Sequence, residues 1–345
     1  MMTLLKVIAL FALLAVTGLT GFSLAAGFVV YTSALTVKRK GRLQQAGLES
    51  PAFVHTRDPV IMEPLTAAKE RWLANRAAGL FDRLSIVSRE GLRLAGWYWP
   101  RGLAAEGDQV GAADSGIGNP GKTVLLVHGI LDSSAGLAYL SEAYHREGWN
   151  VCAIDLRAHG ESEGRRMTMG VREARDLALW INCLVERYGT NDLLLHGISL
   201  GGAVVLLYGG TCGDIPKAVR AIVSDSSFGR YSTSIETVLY HIVRSRFVAR
   251  SITLGASLWS RAFTGVGFSG MIPERARARI PVPVLLFHGQ KDVLVPPDSV
   301  RRLLESSARP GDEVVVVPDS PHIGAYFYAP DLYMDAIRNL YRRTR

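Results

Sequence analysis

"NDLLLHGISLGGAVVLLYGG", residues 191–210, joins three patterns in one stretch. Leu193 to Leu195 form an apolar run of the kind that fills a buried strand. Residues 197–201 read G-x-S-x-G, with Ser199 between Gly197 and Gly201. Gly202 to Gly210 are small and apolar, as in a helix packed closely on a sheet. In a chain with 35 Gly the pentapeptide by itself is short enough to arise by chance, so its context decides. A strand, a tight turn with serine at its apex and a helix behind it form a nucleophile elbow. Such a turn needs small residues two before and two after the serine, and Gly197 and Gly201 supply them. The helix start would aim N–H groups and a positive dipole end at the serine oxygen. The plain alternative is a serine that caps a helix after a strand.

Outward from this stretch the rhythm repeats. The apolar runs "KTVLLVHG", "NVCAIDL", "NDLLLHG", "AVRAIVSD", "VPVLLFHG" and "DEVVVVPD" read as strands buried on both faces. Between them lie helical stretches at 135–147, 171–187, 201–209 and 298–307, and a last one at about 325–343. This alternation predicts a doubly wound α/β class with a mostly parallel sheet. "RLSIVSREGLRLAGWYWP" (83–100) precedes it and reads as a β-hairpin around "REG". One interval breaks the rhythm. Residues 226–280 are helical in composition and rich in Arg and aromatics, and they predict a helical lid insertion over the carboxyl ends of the strands.

A serine nucleophile needs a base, and the base needs an orienting acid. An elbow fold demands the chain order Ser, then Asp or Glu, then His. Of the eight histidines, His55, His128, His145, His159 and His196 precede Ser199. His241 sits in a helical stretch, and His288 ends an apolar run ahead of the candidate acid. His322, in "PDSPHIGAYF", remains as the base. Asp292, in "VPVLLFHGQKDVLVP", is the candidate acid. Asp225, in "AIVSDSSFG", is the rival and is read as bracing loops; Asp298 is read as a helix cap. An oxyanion would be held by the backbone N–H of Leu200 and by that of Ile130 in "LLVHGILDSS". His128 is expected to shape that loop by hydrogen bonding.

The 345 residues are 48% hydrophobic and 20% charged, an ordinary globular balance with ample chain for a core. The formal net charge is +8, with basic clusters at 38–42, 244–250 and the carboxyl end. No nucleic-acid signature accompanies them. Cys152, Cys183 and Cys212 are widely spaced and show no metal-like grouping; Cys152 reads as a core residue.

Val7 to Tyr31 contain no charged residue, a stretch of 25 positions. That is long enough for a helix to cross a bilayer, which needs about 20 apolar residues. Residues 5–31 are therefore expected to form an uncleaved transmembrane anchor. A cleaved signal is the alternative, since "SLAAGF" imitates a cleavage site. Lys38, Arg39, Lys40 and Arg42 follow the segment. By the positive-inside rule they place the carboxyl-terminal domain in the cytoplasm. Residues 32–80 would be a connector ending in a helix, "EPLTAAKERWLANRAAGLFD". Pro64 is expected near its first turn, with Leu65, Ala68, Trp72 and Leu80 on one face. Residues 81–345 would form the main domain.

Taken jointly, "HGILDSS", "DLRAHGES", "HGISLGG", "HGQKDVLVP" and "SPHIGAYF" resemble the α/β-hydrolase-fold serine hydrolases. The likeness is to a membrane-anchored branch near the monoacylglycerol-lipase-like and serine-aminopeptidase-like groups, and it covers roughly 83–343. It implies hydrolysis through Ser199, His322 and Asp292 by way of an acyl-enzyme, with no metal and no organic cofactor. Asp155, Arg157 and His159 are read as holding the loop beside the oxyanion region. The resemblance leaves open an esterase or lipase acting on lipid-like esters, a peptidase with the same three residues, and a non-catalytic binding scaffold. Nucleic acid is not expected as a partner, and oligomeric state is not legible.

Overall fold

The computed structural model describes residues 2–35, 58–102, 121–307 and 309–344; within the first helix, side chains are described at residues 17–33 and 35. The basic cluster at 38–42, His55, most of the expected connector and the loop at 103–120 lie outside the described residues.

The chain opens with α1 (Met2–Leu35) and α2 (Pro59–Ala77). A hairpin follows, β1 (Asp82–Val87) and β2 (Arg93–Trp99), as the alternating runs around "REG" predict. Then come β3 (Thr123–Val127), α3 (Ala138–Arg146), β4 (Asn150–Ile154), α4 (Val171–Tyr188), β5 (Leu193–Ile198) and α5 (Leu200–Thr211). After β6 (Val219–Asp225), the insertion supplies α6 (Tyr231–Val243), α7 (Arg246–Thr264) and α8 (Pro273–Arg277). The chain closes through β7 (Val284–Gly289), α9 (Asp298–Glu305), β8 (Glu313–Val317), α10 (Ala325–Tyr328) and α11 (Pro330–Arg342).

The strands form one eight-stranded sheet in the order β1-β2-β4-β3-β5-β6-β7-β8. β2 runs antiparallel to both β1 and β4, and every later pairing is parallel. β3, β4, β5 and β7 are buried at every residue, which is why they read as unbroken apolar runs. β8 departs from that expectation. It is an edge strand with a partner on one side only, and Val316 is left 43% exposed. One core layer covers the sheet face under α4 and α5, around Trp180, Leu195 and Val204. The other lies under α3 and α11, around Tyr144, Trp149 and Tyr333.

Three local expectations differ from the structure. The α2 helix starts at Pro59, so Pro64 is interior. Asp58 caps it by accepting the Val60 N–H at 3.0 Å, and Pro59 has no N–H to leave orphaned there. The last helix is two helices, because Ala329, before Pro330, takes φ −148° and ψ 63°. Asp298 does not cap α9: Pro297 holds the cap position, and Asp298 pairs instead with Arg301 and Arg302. The expected α2 face does pack on the domain. Trp72 is buried against Phe81 and Trp97, with ring centroids 5.1 and 6.0 Å apart.

α1 is docked along the insertion helix α7. Gly27 and Gly255 let the two backbones touch: a Cβ on Gly27 would lie 2.4 Å from the Ala256 nitrogen, and one on Gly255 would lie 2.1 Å from the Ser23 carbonyl. The Trp259 Nε1–H donates to the Leu24 carbonyl at 2.9 Å. Phe28 meets Trp259 edge-on, and Tyr31 stacks on Phe263. Tyr31 and Leu35 join the main core. Among the described residues, no helix is long and apolar enough to cross a membrane; in α1 the side chains before Thr17 fall outside them.

Candidate active site

Ser199 stands between the end of β5 and the start of α5. Its backbone takes φ 53° and ψ −111°, a region that a non-glycine residue enters at a cost of about 1–3 kcal/mol. Two approaches explain the flanking glycines. A Cβ on Gly197 would lie 2.1 Å from the Gly201 carbonyl oxygen, and one on Gly201 would lie 2.0 Å from that of Val127. The elbow is held from the next strand, where the Ser199 N–H donates to the Asp225 carbonyl at 2.7 Å.

His322 comes from the loop after β8. Its Nε2 lies 2.9 Å from Ser199 Oγ and its Nδ1 lies 2.7 Å from Asp292 Oδ2. Asp292 Oδ1 accepts the N–H groups of Leu294 and Val295, which fixes the carboxylate in its loop. Burial pulls the Asp292 carboxyl upward, but His322, His288 and the Val295 N–H outweigh it and leave it below the usual carboxylate range. A charged Asp292 can only accept, so His322 Nδ1–H donates to it and Nε2 faces Ser199 as an acceptor.

Leu200 is the first residue of α5, so its N–H has no intrahelical partner. The loop after β3 reaches the same place, and a methyl group on Gly129 would lie 3.4 Å from Ser199 Cβ. Ile130 follows directly. His128 Nε2 accepts the Leu156 N–H at 3.0 Å and its Nδ1 donates to the Gly129 carbonyl at 2.6 Å, so it ties this loop to the one after β4. Asp155 accepts the N–H groups of Ser134 and Glu161. Arg157 makes a two-pronged pair with Asp176, both contacts 2.7 Å. His159 Nδ1 meets the Arg157 carbonyl at 2.9 Å. Among the described residues, no group of His, Cys, Asp and Glu side chains could hold a metal ion.

The family described as serine aminopeptidase, S33, matches residues 118–266. The uncharacterized protein YfhR of Escherichia coli O157:H7 is 26% identical over 248 residues, 71% of this chain and 74% of its own length. A thermostable monoacylglycerol lipase of Bacillus sp. strain H-257 is 27% identical over 225 residues, 59% of this chain and 84% of the lipase. An esterase of Pyrococcus furiosus superposes with a TM-score of 0.58 at 20% identity, covering 78% of this chain and 93% of the esterase; that likeness is one of fold.

The chain has the α/β-hydrolase fold and is similar to the serine hydrolases among proteins of that fold.

Around its site the hydrolase holds residues that the motifs do not flag. Asp225, the rival acid, is spoken for elsewhere. Ser226 Oγ donates to Oδ1 at 2.8 Å and the Tyr333 hydroxyl to Oδ2 at 2.9 Å. Burial raises its carboxyl, and those donors pull it part of the way back. Ser226 Oγ also accepts the Ile323 N–H, which ties the His322 loop to β6. His196 lies between the hydroxyls of Tyr144 and Tyr333, each at 2.9 Å, and burial drives its pKa down to about 3. Tyr333 reads in sequence as one more core residue of an amphipathic helix; only the fold shows it joining α11 to two strands. Leu131, Ser226 and Ile323, in the loops around the serine, share positive φ with Ser199.

Proposed function

We propose that the hydrolase is a membrane-associated serine esterase that cleaves carboxylic esters with apolar acyl groups. The observation that carries this is the reach of His322 to Ser199 Oγ on one side and to Asp292 on the other. Ser199 Oγ attacks the ester carbonyl while its proton passes to His322 Nε2. The oxyanion forms opposite the N–H groups of Leu200 and Ile130. Collapse breaks the bond to the alcohol, which leaves with the proton from His322. Water, deprotonated by His322, then releases the acid and frees Ser199.

The acyl preference is supported by the 226–280 lid. Phe228, Tyr231 and Phe268 are buried in it, and Phe228 meets Tyr231 at 5.6 Å. Residues 237–273 contain no Asp or Glu, so this part of the lid offers nothing to the ammonium of a peptide substrate. A Bacillus relative named as a monoacylglycerol lipase agrees with that reading. Membrane association is supported by the uncharged run from Val7 to Tyr31 inside one helix. Ser23, Gly27, Tyr31 and Leu35 pack on the lid and the core, so the uncharged residues from Val7 onward are the part of the run proposed to meet lipid. The basic cluster after it favours a cytoplasmic domain.

A panel of acyl esters of graded chain length, run beside aminoacyl amides with Ser199→Ala as control, tests the substrate class. Ester turnover that rises with chain length is expected. Amide turnover without ester turnover would sink the proposal in favour of the peptidase reading.

A further inference from the structure

α1 and α7 run parallel. Ser23 faces Gly255 and Tyr31 faces Phe263, so equal steps on one helix match equal steps on the other. That register locates the far end of α7 along α1. Phe247 precedes Gly255 by two turns, about 12 Å of helix, and so stands level with about residue 15 of α1. The corner between α6 and α7 therefore points the same way as the apolar first half of α1.

This corner carries an unusual set of side chains. Ile242 is 71% exposed and Phe247 67%, the two most exposed large apolar residues among those described. Arg244 joins the two helices in a left-handed conformation, Arg246 opens α7, and Arg250 follows one turn later. Among the described residues none of the three arginines pairs with a carboxylate, although a soluble surface this basic normally offsets some of its charge. Apolar side chains ringed by arginines without carboxylate partners, one of them, Arg246, resting over the Tyr240 ring, match the acyl and headgroup layers of an anionic lipid surface.

We propose that the α6–α7 corner of the lid is a second membrane contact, with Ile242 and Phe247 entering the interface and Arg244, Arg246 and Arg250 holding anionic headgroups. This rests on the membrane-associated reading above. The uncharged run begins at Val7, and the corner stands level with about residue 15, about 12 Å of helix into that run. The corner therefore stands beside the apolar run of α1 and not beyond its end. The substrate lid would thus be held at the lipid surface by its own tip as well as by α1.

The test uses the full chain reconstituted into phosphatidylcholine vesicles with and without phosphatidylglycerol. Phe247→Cys, in a Cys183→Ser/Cys212→Ser background, carries a fluorophore that acyl-brominated lipids quench. The same label at Leu332→Cys on α11 is the reference. Strong quenching at 247 in the anionic vesicles is expected. It should fall towards the Leu332 level when Arg244, Arg246 and Arg250 are changed to Glu. Vesicles that float with the protein while the label at 247 stays unquenched overturn the second contact and leave α1 anchoring intact. Equal quenching in both lipids, indifferent to the Glu changes, overturns the headgroup role of the arginines. Protein that does not float with the vesicles removes the membrane reading itself.

Discussion

His322 donates its Nδ1–H to Asp292 across 2.7 Å, and this contact decides which nitrogen of the imidazole is left for Ser199. An amide at position 292 can present its NH₂ to Nδ1 instead, which turns the ring into the tautomer with no acceptor facing Oγ. Asp292→Asn is therefore expected to lower kcat on an ester substrate by about 10⁴-fold, the size of this error in serine proteases. Circular dichroism and the melting temperature should stay near wild type. Activity within tenfold of wild type would show that Asp292 does not orient the base.

The site also sets an acid limit on stability. The His196 pKa is about 3 in the folded protein because burial disfavours the cation, against about 6.5 when unfolded. The unfolded chain binds the extra proton between those values, so stability is lost as pH falls below 6.5, at about 1.4 kcal/mol per unit. Asp292, held below its ordinary value, adds a loss of the same sign as pH falls below about 4. Unfolding free energies from urea titrations at pH 7.5 and 5.0 should differ by about 2 kcal/mol from His196 alone. His196→Gln should flatten that slope; an unchanged slope would contradict a neutral buried imidazole.

The Arg157–Asp176 pair is a third testable element. Both side chains are buried, at 3% and 4% exposure, and Glu90 lends Arg157 one further contact at 3.0 Å. Asp176→Leu leaves a guanidinium in the core and is expected to cost about 3–5 kcal/mol. Arg157→Met/Asp176→Leu should cost clearly less than the single change, because no charge is stranded. Chemical denaturation of the three proteins reads the difference. A double variant as weak as the single one would assign the loss to packing.

Gly201 is expected to accept no side chain. A Cβ there would meet the Val127 carbonyl at 2.0 Å, backbone against backbone, with no flexible atom to yield. Gly201→Val should abolish ester turnover and lower the melting temperature, and soluble, active Gly201→Val protein would contradict the elbow geometry.

Much of this was legible because the elbow is a backbone device with a sequence signature. Gly197 and Gly201 are small since two carbonyl oxygens would lie 2.1 and 2.0 Å from a Cβ there, and the buried strands read as apolar runs because both faces are covered. The order Ser199, Asp292, His322 followed from strand succession. The polar braces were not legible. Tyr333, Ser226 and His196 meet only in three dimensions, and nothing in their spacing marks them. The helix break at Pro330 and the early start of α2 at Pro59, capped by Asp58, turn on single capping and proline effects. The docking of α1 on α7 was also hidden. Gly27 and Gly255 look like ordinary small residues in two helices distant in sequence, and only their contact shows that α1 and the insertion helix α7 are one packed unit.

The most direct test is labelling with a fluorophosphonate, which reacts with a serine only when a base activates it, followed by mass mapping of the adduct. Wild type should carry one adduct, on Ser199, and Ser199→Ala and His322→Ala should carry none while remaining folded. A wild-type protein that stays unlabelled, or an adduct that persists in Ser199→Ala, would contradict the assignment of Ser199 as the nucleophile.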